Sequence, residues 1–95
     1  MNAFQKESCV HIANHYGVDS QVLMAIEEMS ELTKEICKYK RGNNNREKLI
    51  DEIADVKIMI EQVEYLFKLS KEVNLRVDYK LQRQLRRIED KRGDE

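Results

Sequence analysis

The sequence predicts an all-α protein, built as an antiparallel helical hairpin with flanking helices. The 95 residues contain no proline and three glycines, and residues with high helix propensity are abundant. Apolar residues recur every three or four positions over long stretches, as one face of a helix requires. Clear helix-ending signals are confined to Gly17 and the segment Arg41–Asn45. This length fits one domain, residues 1–95.

The first two helices are separated by Gly17. We predict a short helix over Ala3–Tyr16, followed by a longer one that is capped by Asp19 or Ser20 and ends near Lys40. Gly favours helix ends because it adopts the left-handed backbone, and Asp and Ser side chains accept hydrogen bonds from free N–H groups. The apolar face of the second helix consists of Val22, Ala25, Met29, Leu32 and Ile36.

The third helix follows the turn at Arg41–Asn45, with Asn45 as its predicted cap and Glu47 in its first turn. Its apolar positions are spaced four and three residues apart in alternation, which indicates a long buried seam. The members of that seam are Leu49, Ile53, Val56, Ile60, Val63 and Phe67.

A break near Ser70–Asn74 is predicted to lead into a last helix, with residues 91–95 frayed. The inward positions of this helix are Val77, Leu81, Leu85 and Ile88. So short a chain has difficulty closing a sufficient core alone. We therefore expect a homo-oligomer, a dimer or a tetramer, resembling a four-helix bundle.

Charge and hydropathy narrow the class of protein. Seventeen Lys and Arg against eighteen Asp and Glu give a net charge of -1, which argues against binding to nucleic-acid polymers. The longest apolar runs are far shorter than the roughly 20 residues that span a bilayer, so no membrane association is expected. The segment Met1–Glu7 has no signal-peptide character, and the expected compartment is the cytoplasm. Cys9 and Cys37 form neither a disulfide framework nor a CxxC site.

Two pairs of acidic residues stand out on the two arms of the hairpin. Glu28 and Glu31 are three residues apart on the second helix, and Glu52 and Asp55 are three apart on the third. Such residues are neighbours on a helix surface. Both pairs have apolar residues beside them, which places them at the margin of the seam.

The turn lies about midway between Glu31 and Glu52, so an antiparallel hairpin brings the two pairs to the same height. Ionised carboxylates in a partly enclosed space repel one another and lose hydration. A divalent cation relieves both costs, and Mg²⁺ suits carboxylate oxygens and phosphates. The same acidic residues also fit a solvated helix face, and spacing alone does not decide between the two.

The acidic motifs resemble those of a known enzyme family. Glu27-Glu28-x-x-Glu31, followed by Glu52-x-x-Asp55, resembles the EExxE…ExxD signature of MazG-like nucleoside triphosphate pyrophosphohydrolases. These enzymes belong to the all-α NTP pyrophosphatase superfamily. The resemblance extends over roughly residues 21–63 and is looser in the C-terminal third.

The resemblance implies Mg²⁺-dependent hydrolysis of a nucleoside triphosphate, with Mn²⁺ as a substitute. The (d)NTP substrate would be cleaved to a (d)NMP and pyrophosphate, as in the removal of non-standard nucleotides. The implied metal ligands are Glu28, Glu31, Glu52 and Asp55. Glu27 and Glu35 are auxiliary candidates, Glu27 as supporting carboxylate and Glu35 for orienting the attacking water.

A triphosphate also needs cations, and the last helix carries a basic stripe. Lys80, Arg83 and Arg87 of this stripe are candidate phosphate contacts. Lys80 with Arg86 and Arg87 resembles the family's Lys, then Asn, then Arg residues. Gln84 occupies the position of that Asn, which is a departure from the family pattern. A solvated basic face is the simpler explanation of the stripe.

A non-enzymatic helical adaptor or regulator with the same bundle fold is the alternative from another functional class. The short chain and the departure at Gln84 favour it. Such a protein has no reason to retain a divalent-cation site, so Mg²⁺ binding separates the two hypotheses.

Overall fold

The computed structural model describes residues 1–43 and 45–93, which form three α-helices. Helix α1 spans Ala3–Lys40, α2 spans Arg46–Leu66 and α3 spans Ser70–Gly93. The all-α prediction is confirmed, as is the hairpin, because α1 packs along α2. The part of the predicted turn at Asn44 and the predicted frayed positions 94–95 lie outside the described residues, whereas 91–93 continue α3.

A kink at Gly17 divides α1 at the predicted place. Gly17 has φ 84° and ψ 172°, which are not helical values and belong to a backbone region that is essentially restricted to glycine. The helix resumes directly after Gly17, so the predicted caps at Asp19 and Ser20 are wrong. The N-terminal cap of α1 is Asn2, whose side chain accepts from the Gln5 backbone N–H at 2.8 Å while Gln5 Oε1 accepts from the Asn2 N–H at 2.9 Å.

Helix α2 begins as predicted, because the Asn45 side chain accepts a hydrogen bond from the Lys48 backbone N–H at 3.1 Å. The predicted break at Ser70–Asn74 is wrong, since this segment is already helical. The chain turns just before this segment, over residues 67–69, where Lys68 takes a left-handed φ of 58°. The Leu69 N–H reaches back to the Glu64 carbonyl at 2.9 Å, which satisfies a carbonyl at the helix end.

The core lies between α1 and α2 and is small. Its buried apolar residues are Cys9, Ala13, Ala25, Val56 and Met59. Three buried residues are polar or charged, namely Gln21, Glu35 and Gln62. The hairpin therefore combines a thin apolar seam with polar side chains that face the partner helix.

Helix α3 packs against α2 alone within the part of the chain described. Its predicted inward residues, Val77, Leu81, Leu85 and Ile88, are between 46% and 61% exposed, so the inward prediction is wrong for a single chain. The reason is that α3 leaves the hairpin after its first turn, and no other helix of residues 1–43 and 45–93 covers its apolar side. None of the helices described combines the length and the hydrophobicity needed to cross a membrane.

The single chain is extended. Its radius of gyration is 16.8 Å, whereas a compact domain of this length measures about 12 Å. Its accessible surface is 7899 Å², against about 5,700 Å² for a folded monomer of this mass. The excess accessible surface, both apolar and polar, is surface that a compact monomer of this mass would bury.

Candidate metal centre

Three carboxylates from two helices converge halfway along the hairpin. Glu28 belongs to α1, and Glu52 and Asp55 belong to α2. One carboxylate oxygen from each lies within 4.8 Å of the other two. We call these three residues the carboxylate cluster. Its members are the oxygen donors that Mg²⁺ prefers.

The hairpin register explains why these side chains meet. Near the turn, Lys48 Nζ lies 3.8 Å from a carboxylate oxygen of the buried Glu35. Seven residues back along α1 and seven forward along α2, the same register places Glu28 opposite Asp55. Seven residues are about two helical turns, so the two layers lie on the same side of each helix. One layer pairs opposite charges, whereas the other brings like charges together.

A third polar layer continues the ladder by one further heptad. Gln21 on α1 and Gln62 on α2 occupy it, and both side chains are fully buried. This heptad relation to Glu28 and Asp55 is visible in the sequence, but neutral amides carry no charge signal that marks Gln21 and Gln62 as candidates.

The carboxylate cluster lacks a positive counterpart among the residues described. Glu52 Oε2 is buried and has no hydrogen-bond partner, which is costly for a charged oxygen. Partial burial raises the pKa of Glu28 above its usual value, and the charges of Asp55 and Glu52 raise it further. A hydrogen bond with Asp55 and the charge of Glu31 act in the same direction. The site is therefore electrostatically destabilised without a cation.

This raised pKa predicts how the stability of the metal-free protein depends on pH. The pKa of Glu28 lies above the 4.5 of the unfolded chain, so its contribution to stability is complete below that pH. The contribution is lost as the pH rises through the higher folded pKa. In urea unfolding with chelator, wild type should lose stability relative to Glu28→Gln over the range from pH 4.5 upward, as the pH rises through the folded-state pKa. A constant difference across that range would contradict the prediction.

Glu31, the fourth predicted ligand, does not lie within the carboxylate cluster. Its side chain is about half exposed and lies 3.9 Å from Lys34 Nζ, one turn along α1. An exposed pair of this kind contributes little to stability. Glu31 remains close enough to raise the pKa of Glu28, so it flanks the cluster.

The two auxiliary carboxylates have different surroundings. Glu27 is exposed on α1, one residue and about 100° around the helix from Glu28. Glu35 is 2% exposed and faces Lys48, an arrangement that stabilises the hairpin near its turn. The structure thus places Glu35 in the helix contact, two turns from the carboxylate cluster.

The predicted phosphate contacts lie on α3. Lys80, Arg83 and Arg87 are all exposed, on a helix that carries eight Lys and Arg against four Asp and Glu. Within the described chain this helix packs on α2 and not on α1. The basic stripe is therefore accessible to solvent.

An apolar cavity adjoins the carboxylate cluster. Its volume is about 200 Å³, and Glu28 and Asp55 form part of its wall. The rest of its lining consists of Ile12, Met24, Ile58, Met59 and Gln62. We call it the flanking cavity. Sequence reasoning missed it because it depends on the kinked first half of α1 lying against α2.

No protein-family model, curated protein or solved structure matches this chain. Its fold and site define an all-α helical hairpin with a carboxylate cluster suited to a hard divalent cation.

Proposed function

We propose that the protein is a Mg²⁺-dependent nucleoside triphosphate pyrophosphohydrolase that converts a (d)NTP to a (d)NMP and pyrophosphate. The observation that carries the proposal is the convergence of Glu28, Glu52 and Asp55 from two helices, with no cationic partner among the described side chains. Surplus or non-standard nucleotides are the expected substrates. The motif resemblance described above supports the reaction class.

The residues present fit Mg²⁺. All three donors are carboxylates, and the buried, unpartnered Glu52 Oε2 is an oxygen that a cation would satisfy. When bound, Mg²⁺ supplies an activated water and neutralises phosphate charge. Glu28 would hold it from α1, and Glu52 and Asp55 from α2. Glu31 flanks this set as a further carboxylate, and Glu27 remains an exposed auxiliary candidate.

The basic residues of α3 would bind the phosphates. Lys80, Arg83 and Arg87 carry charge that compensates the triphosphate, and Arg guanidinium groups match phosphate oxygens in pairs. Their exposure leaves them free for substrate. Charge neutralisation of this kind is a large part of catalysis in phosphoryl transfer.

The active form is proposed to be a homo-oligomer in which two hairpins build a four-helix bundle. Counted along the chain from Glu28 on α1 and from Asp55 on α2, five exposed apolar residues are displaced around their helices in the same rotational sense. In an antiparallel pair this brings them to one side of the hairpin. We call this side the apolar face, and its members are Met29, Ile36, Ile53, Ile60 and Phe67.

These five residues are between 41% and 50% exposed. A stable interface removes about 800 Å² from each partner. The surface of the single chain exceeds that of a compact monomer by more than this amount. A second copy, with the same face, is the partner that fits.

The test is to incubate the purified protein with each (d)NTP and Mg²⁺, and separately with Mn²⁺, and to measure pyrophosphate. Pyrophosphate and the nucleoside monophosphate should form in equal amounts and only with a divalent cation. Absence of pyrophosphate with every nucleotide, from folded protein and both metals, would contradict the proposal.

The second candidate function, a non-enzymatic adaptor or regulator, is favoured by the wide exposure of apolar residues on α3. Calorimetric titration with Mg²⁺ distinguishes the two. The enzyme should bind Mg²⁺ more tightly when a nucleotide is present, whereas an adaptor should bind neither.

A further inference from the structure

We propose that the flanking cavity binds the heterocyclic base of the nucleotide and that the side-chain amide of Gln62 recognises the edge of that base. This inference rests on the proposed function, because it assumes that the phosphates lie at the carboxylate cluster. It identifies the residues that bind the base, in addition to those that bind the metal and the phosphates.

The carboxylate cluster and the flanking cavity are adjacent and share two residues. Glu28 and Asp55 belong both to the carboxylate cluster and to the wall of the flanking cavity. A nucleotide has a charged end and an aromatic end joined by one sugar. A polar site for hard cations that opens directly into an apolar cavity matches that division.

The chemistry of the cavity walls and the volume of the cavity suit a heterocyclic base. Ile12 and Met24 contribute from α1, and Ile58 and Met59 from α2. Thioether and aliphatic side chains pack favourably against aromatic rings. The volume of about 200 Å³ is below the roughly 300–1,000 Å³ of sites for drug-sized ligands. It therefore suits one ring system and not a whole nucleotide.

Gln62 supplies a side-chain amide to the wall of the flanking cavity. It is the one uncharged side chain with hydrogen-bonding groups among the residues that line the cavity, and it is 1% exposed. An amide offers an acceptor and two donors, which complements the adjacent donor and acceptor on the edge of a base. A buried amide that is left unpaired by the wrong base loses a hydrogen bond without compensation from water. Gln62 is therefore placed to discriminate between bases.

The flanking cavity lies away from the apolar face that is proposed to join two copies. Met24 lies about 140° around α1 from Met29, a member of the apolar face. A second copy docked on the apolar face would thus leave the flanking cavity open. Oligomer formation and base binding use different sides of the hairpin.

The test uses the methyl groups of the four methionines as probes. The protein is labelled with ¹³C at the methionine methyls, and nucleoside monophosphates with each of the common bases are added in the presence of Mg²⁺. Ring currents of a bound base should shift the methyl signals of Met24 and Met59. The signal of Met29 should stay in place, and ribose 5-phosphate, which lacks a base, should leave the Met24 and Met59 signals nearly unchanged.

A conservative variant provides the second measurement. Gln62→Met keeps the side-chain volume and removes the amide, so the ratio of kcat/KM between the best and the poorest base should fall by about 10-fold or more. Met29→Leu is the matched control and should leave that ratio unchanged.

The outcomes separate this proposal from the proposed function. Pyrophosphate release without shifts at Met24 and Met59, even at saturating nucleotide, would overturn base binding in the cavity while the reaction class stands. Shifts at both methyls without any pyrophosphate release would support the cavity and contradict the enzyme. Equal shifts with ribose 5-phosphate, or shifts of Met29 as large as those of Met24, would overturn the proposal.

Discussion

Replacing Asp55 with Asn is expected to stabilise the metal-free protein and to abolish most of the proposed pyrophosphohydrolase activity. Without a cation, Glu28, Glu52 and Asp55 hold like charges within 4.8 Å of one another. Removing one charge relieves that repulsion. For partly exposed charges we expect a gain of about 1 kcal/mol, or roughly 4–8 °C in Tm for a chain of this length.

Mg²⁺ should stabilise wild type much more than Asp55→Asn. Wild type should gain about 2.7 kcal/mol when Mg²⁺ is present at 100 times its Kd, whereas Asp55→Asn should gain little. Pyrophosphate release by the variant should fall by about 100-fold or more, because one source of transition-state charge stabilisation is lost.

Thermal melts with chelator and with Mg²⁺, combined with the pyrophosphate assay, check this prediction. Glu27→Gln is the control, since it removes one carboxylate from the exposed neighbour of Glu28 and should change neither melt. A metal-free Asp55→Asn protein that melts below wild type would show that the carboxylate cluster is not under electrostatic repulsion.

If the proposed homo-oligomer forms through the apolar face, replacing Ile60 with Asp is expected to dissociate it. Ile60 is at the middle of the proposed apolar face of α2 and is 48% exposed in the single chain. A carboxylate buried in that interface without a partner would cost several kcal/mol. Since each 1.4 kcal/mol is a factor of ten, the dissociation constant should rise by about 100-fold or more.

Light scattering coupled to size exclusion, run over a range of protein concentrations, measures this effect. Leu23→Asp is the matched control, because Leu23 is also exposed but lies on the side of α1 that points away from α2. If Ile60→Asp and wild type share one mass at every concentration, the apolar face is not the interface.

The sequence was sufficient to predict the parts of the hairpin that depend on local chemistry. Asn45 caps α2, and the kink falls at Gly17, because each position needs a particular side chain or backbone. The convergence of Glu28 with Glu52 and Asp55 was also predictable, since a short turn fixes which residues of two antiparallel helices lie at the same height.

Other features depend on tertiary geometry, which the spacing of residues along the sequence does not specify. Glu28 and Glu31 have the same local pattern, yet only Glu28 faces α2 closely enough to join the carboxylate cluster. The end of α2 is set by a left-handed Lys68, and lysine gives no sequence signal for that conformation. The apolar stripe of α3 predicts burial but not the surface that buries it.

The kink at Gly17 has a mechanical consequence for the flanking cavity. Ile12 lies before the kink, and Met24 and Glu28 lie after it. The single non-helical residue Gly17 therefore joins one wall of the cavity to the helical segment that holds a carboxylate. A hydrogen bond of 3.1 Å from Tyr65 to Asn14 ties the first segment to α2. The angle of the bend at Gly17 therefore sets the distance between Ile12 and Met24 across the cavity, whereas Glu28 is held by the segment after the kink.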